Sequence, residues 1–122
     1  MWVNWDIIYH ALSAEWLSFP ARSVTLVSGN CPPRRSGEPG ADYICETIWE
    51  GWGGPVERHP AEWRVNGVVN YAAGFERNAY MAALPDIYKC LAFQLDGSSG
   101  TENCMNCAKQ RHIPISLYEL RS

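Results

Sequence analysis

The sequence predicts an α+β fold: a small single domain, residues 1–122, with a mainly antiparallel sheet, an N-terminal helix and a short second helix. Three observations lead there. Residues 4–18 repeat apolar side chains at helical spacing. Asn66-Gly67, between "WRV" and "VVNY", is the dipeptide favoured in tight hairpins, where both turn positions take positive φ. The strand-like segments elsewhere follow one another without the regular strand–helix alternation that builds a parallel sheet.

Along the chain, "NWDIIYHALSAEWLS" sets Trp5, Ile8, Tyr9, Leu12 and Trp16 on one helical stripe, with Asn4 as the cap and Asp6 in the first turn. Pro20 ends it, because proline lacks the N–H that the next turn needs. "RSVTLVS" (22–28) is β-branched and reads as a strand, and the glycine- and proline-rich run that follows is a loop. "DYICETIWEG" (42–51) alternates, with Tyr43, Cys45, Thr47 and Trp49 on one side, and is expected to be a second strand paired with the first in a long-looped hairpin. "GWGGPVERHP" is irregular by composition. "FERNAYMAAL" (75–84) is rich in helix formers and stops before Pro85, which gives the second helix. A strand is expected around 87–95, a loop over "SSGTEN", and a terminal strand over 114–121.

Composition narrows the function. Apolar residues at 47% and charged residues at 19% suit a packed globule rather than a disordered chain. The ten Lys and Arg residues are scattered and the net charge is −3, so the broad positive face that a duplex-binding protein presents to phosphates is not expected. No apolar run approaches the roughly 20 residues that span a bilayer, and no basic leader precedes one. The expectation is a soluble, intracellular, cytoplasmic protein without membrane contact.

Five cysteines cannot all pair within one chain, which favours a reducing compartment where clustered thiols bind metal or pack. Cys104 and Cys107 have the Cys-x-x-Cys spacing that presents two thiolates to one ion when it lies on a turn, and Asn103 and Asn106 suit such a turn. His112 follows, and Cys90 lies on the strand entering the same loop. Cys90, Cys104, Cys107 and His112 are therefore the expected ligands of a structural zinc ion. The alternative is that Cys90 is a buried core thiol and that Cys104 and Cys107 are loop thiols. A redox dithiol would want a surrounding βαβ pattern, which the sequence does not suggest.

The run from Asn70 to Gln110 also resembles the second half of a zinc-dependent nucleobase deaminase domain: short helix, strand, loop, Cys-x-x-Cys. That resemblance implies Glu76 as the proton shuttle. It departs where the zinc-binding histidine should stand, two positions before Glu76, because that residue is Gly74. His59 and Glu62 are one residue too far apart to substitute, and Asn103 replaces the proline before the first cysteine.

Six tryptophans is a high count, and Trp49, Trp52 and Trp63 surround one glycine-rich stretch. Tryptophan is enriched at interface hot spots, so these three are candidates for docking a protein partner; equally, they could cover the edge of a small core. Glu46, Glu50 and Glu57 flank the stretch and disfavour single-stranded nucleic acid as the partner. The overall expectation is a non-catalytic accessory protein, with deaminase-like chemistry as the alternative.

Overall fold

The computed structural model describes residues 3–20, 23–31, 40–62, 64–70, 72–95 and 99–120. These group into two compact units, Met1–His59 and Pro60–Ser122.

In the first unit, helix α1 (Val3–Ser18) is followed by strand β1 (Leu26–Ser28), helix α2 (Ala41–Gly51) and strand β2 (Val56–Arg58). Of the stripe predicted for α1, Ile8 and Leu12 are buried, Trp5 and Trp16 are half-buried and Tyr9 is exposed, while Ala11, outside the stripe, is buried as well. Helix α2, whose Ile44, Cys45 and Trp49 are buried, packs on α1 and on both strands. Burying an Ile or Leu side chain contributes about 1.5–3 kcal/mol, so these few residues supply much of the unit's cohesion. β1 and β2 run parallel, Leu26 opposite Val56 and Ser28 opposite Arg58, with α2 as the crossover between them.

The second unit opens with a hairpin, β3 (Arg64–Val65) and β4 (Val68–Val69), paired antiparallel. Its turn residues have the expected positive φ, 53° at Asn66 and 79° at Gly67. Helix α3 (Ala73–Ala82), strand β5 (Cys90–Leu95), helix α4 (Ser99–Gln110) and strand β6 (Ile115–Leu120) follow. β5 and β6 are parallel and in register from Cys90–Ile115 to Leu95–Leu120, and α4 crosses between them. Phe93 and Tyr118, directly opposite, stack at 5.4 Å between ring centroids. α4 packs against α3, β5 and β6 through a core that includes Ala73, Ala92, Met105 and Ala108, whose mostly small side chains permit close approach.

The expectation of a mainly antiparallel sheet is overturned. The fold is α+β, but among the described residues the strands form three two-stranded sheets, of which only the short hairpin is antiparallel. The cause is two helices read from sequence as strand and loop. Residues 41–51 form α2, so β1 has no hairpin partner there and pairs instead with residues 56–58, expected to be irregular. Residues 99–110 form α4 and supply the long crossover that parallel strands require.

Candidate functional site

The thiols of the second unit are placed by β5 and α4. Cys90 is the first residue of β5, its N–H donating to the Pro114 carbonyl at 2.8 Å. Cys104 and Cys107 lie within α4, not on a turn, and their i,i+3 spacing puts them on neighbouring parts of one helix face. The backbone N–H groups that a turn would aim at sulfur are therefore engaged in the helix. The half-buried Cys90 and Cys104 thiols are in hydrogen-bond contact, which holds the Cys90 pKa below the ordinary thiol value against the opposing effect of burial. Burial pushes the Cys107 thiol up, and the neighbouring Cys104 adds to this. The Cys107 thiol lies 3.8 Å from Asn103 Oδ1.

His112 is exposed in the turn after α4, with φ at 58° and its N–H on the Lys109 carbonyl at 3.1 Å. Of the four expected zinc ligands, then, Cys90 and Cys104 are brought into contact, Cys107 lies one helical turn on, and His112 lies past the helix end. Among the described residues no group of three or more His, Cys, Asp or Glu side chains converges as a metal site.

The tryptophans divide differently. Trp49 belongs to α2 and is only 2% exposed; its ring meets Trp16 edge-on at 5.0 Å. A ring so enclosed spends its area on its own unit. Trp52 is half-buried, within 5.3 Å of the Tyr9 ring and 5.4 Å of Trp16. Trp63 lies outside the described residues.

Of the positions singled out by the deaminase resemblance, Gly74 is buried in α3 and Glu76 is exposed in its first turn, 3.4 Å from the Asn70 amide. Glu62 is exposed, and a His59 ring nitrogen lies 2.6 Å from Glu57.

Two polar clusters were not anticipated. In the first unit, buried Glu46 accepts the Ser28 hydroxyl at 2.6 Å and Arg58 Nε at 2.9 Å. Arg58 also donates to exposed Glu50 at 2.6 Å, which draws the Glu50 carboxyl below its ordinary pKa. In the second unit, buried Asn78 of α3 donates to Asn103 Oδ1 at 3.1 Å and to the Gly100 carbonyl at 3.4 Å, while Arg77 Nε donates to Asn78 Oδ1 at 2.9 Å. Arg77 is thus tied through one amide to the first turn of α4. The available signal was a polar Asn at the centre of a helical run, a position where a side chain that is not solvated needs partners.

Fold and clusters together describe a small α+β chain with two parallel strand–helix–strand turns, one carrying a thiol pair. No family model, no curated protein and no solved structure matches it. No helix among the described residues is long and apolar enough to cross a membrane.

Proposed function

We propose that the chain is a small intracellular accessory protein that acts by binding a protein partner, with its C-terminal unit steadied by a structural zinc ion. The single observation that supports the metal is the contact between Cys90 and Cys104 across β5 and α4, two thiols brought together from residues 14 positions apart. Zinc favours thiolate ligands and binds them deprotonated, and a closed tetrahedral site would draw Cys107 and His112 in as third and fourth ligands. Elemental analysis of the purified protein tests this. One zinc per chain, released with a fall in melting temperature on chelation and reduced by Cys104→Ser, is the expected result; metal-free protein from zinc-replete cells overturns it.

A second reading rests on the topology. In parallel strand–helix–strand units, ligands bind beyond the carboxyl ends of the strands, and a helix N-terminus there favours an anion. Arg77, tied to the first turn of α4, is suited to a phosphate-bearing small molecule, although Glu102 in the same turn partly offsets its charge. Calorimetric titration with mononucleotides decides it: binding weakened at least tenfold by Arg77→Ala supports this reading, and no heat with any of them removes it.

A further inference from the structure

We infer that two copies of this chain pair through the outer edges of their β6 strands, antiparallel about a two-fold axis at Leu117, so that β5 and β6 of each copy become half of one four-stranded sheet. The hydrogen bond from the Cys90 N–H to the Pro114 carbonyl, at 2.8 Å, fixes which way β6 faces. Backbone groups alternate sides along a strand, so those of Ser116, Tyr118 and Leu120 serve β5. The N–H and C=O groups of Ile115, Leu117 and Glu119 point away from it. Among the described residues no strand takes them up. The outer edge of β5 is partly covered, because the Thr101 hydroxyl of α4 lies 3.5 Å from the Phe93 carbonyl.

The β6 edge is also undefended. Proteins blunt such edges with lysine, proline or a bulge. β6, "ISLYEL", has none of these: it stays in register with β5 along its whole length, and Glu119 is its one charged residue. Leu117 is 46% exposed. Two strands alone make a marginal sheet, and a second copy doubles them.

The second copy is the occupant because the three outward residues are symmetric about Leu117. In that register Leu117 meets its own counterpart and Ile115 meets Glu119, so every outward N–H of one copy faces an outward C=O of the other. The two exposed leucines form an apolar cross-strand pair. The two Glu119 carboxylates stand as far apart along the strand as Glu119 is from Ile115, about 13 Å, where salt screens most of their repulsion. Other registers do worse. A two-fold at Glu119 sets the carboxylates opposite each other, and one at Tyr118 pairs Ile115 with a residue beyond β6. One at Ile115 brings Leu117 against Ile113, whose N–H is already given to the Ala108 carbonyl at 2.9 Å.

The pairing needs neither the zinc ion nor the partner of the proposed function, so it stands or falls separately. It is tested by sedimentation of the full chain in reducing buffer up to about 0.5 mM, with amide hydrogen exchange followed by NMR. The expected result is a concentration-dependent dimer in which the Leu117 and Glu119 amides are protected. Leu117→Pro removes the N–H at the axis but no bond to β5, and Leu117→Lys sets two cations face to face; each should weaken the dimer at least about tenfold. In the lysine variant the amides at 117 and 119 should exchange freely, while those of Ser116 and Tyr118 stay protected and show that β5 and β6 remain paired. If the proline variant fails to fold by circular dichroism, the lysine variant and the wild-type exchange pattern decide. A dimer that both folded variants leave intact overturns the inference, and so does a chain that stays monomeric at the highest concentration. In that monomer, freely exchanging Leu117 and Glu119 amides would assign the edge to an extended segment of another protein, and protected ones would mean that the chain covers the edge itself.

Discussion

The Ser28 hydroxyl donates to the Glu46 carboxylate at 2.6 Å, joining the end of β1 to the middle of α2 where both residues are buried. A carboxylate out of water needs each of its hydrogen bonds, because a lost partner leaves an acceptor desolvated and unsatisfied. Ser28→Ala should therefore destabilise the first unit by about 1–3 kcal/mol. Urea denaturation followed by tryptophan fluorescence measures it, and a change within error would mean that water replaces the hydroxyl. The Asn30 N–H also donates to the Ser28 oxygen, at 3.1 Å, so the same variant should loosen the start of the connection to α2.

Close packing rather than charge decides the effect at Gly54. A Cβ built there would sit 2.8 Å from Trp16 Cζ3 and closer still to the indole of Trp49, so both rings of this edge-on pair would have to shift. Gly54→Ala should cost about 1–3 kcal/mol by overpacking. It should also shift tryptophan emission, since the displaced rings include the buried Trp49. Gly51→Ala is the control: nothing lies within 4 Å of its added Cβ, and its melting temperature should stay close to wild type.

The two outcomes that reshaped the fold, α2 and α4, were hidden for opposite reasons. "DYICETIWEG" is full of β-branched and aromatic residues, which favour strands locally, and its alternation fits a half-buried strand. Its burial nevertheless follows a helix: Ile44, Cys45 and Trp49 face inward together, with Glu46 admitted only because Ser28 and Arg58 pair it. "SGTENCMNCAKQ" has poor helix formers at its start, so propensity argued for a loop; packing of Met105 and Ala108 overrides that. By contrast, α1, the Asn66-Gly67 turn, α3, β5 and β6 were legible because stripe, turn chemistry and breakers agree there. The Cys90–Cys104 approach was legible as a candidate, whereas Asn78 and Glu46 matter through partners distant in sequence that no local pattern reveals.

The Cys45 thiol offers a pH test. Burial, with added repulsion from Asp42 and Glu46, pushes its pKa far above the ordinary value of 9.0, so the folded chain holds it protonated. A raised pKa contributes stability that is fully present below the unfolded value and is lost as pH rises above it, because the unfolded thiol then ionises and the folded one does not. Stability should accordingly fall above about pH 9, approaching 1.4 kcal/mol per pH unit from this group. Cys45→Ala should be less stable at neutral pH yet show a shallower alkaline decline. Equal slopes in parallel urea titrations would mean that other groups govern that range.

Asn78 is the position where the identity of two side-chain atoms matters most. Its Nδ2 donates to Gly100 and Asn103 while its Oδ1 accepts from Arg77, so donor and acceptor ends are both used in a buried setting. Asn78→Ala removes the whole bridge between α3 and α4 and should cost about 1–3 kcal/mol. Asn78→Asp keeps the acceptor for Arg77 but turns an oxygen toward two other oxygens. At neutral pH that variant should be the less stable of the two, because its carboxylate repels both acceptors and is desolvated. Near about pH 4 a protonated carboxyl can again donate, so it should recover relative to wild type while the alanine variant does not. Thermal melts of the three proteins at both pH values measure this crossing. Parallel behaviour of the two variants would show that only the packing volume of Asn78 counts, not the direction of its hydrogen bonds.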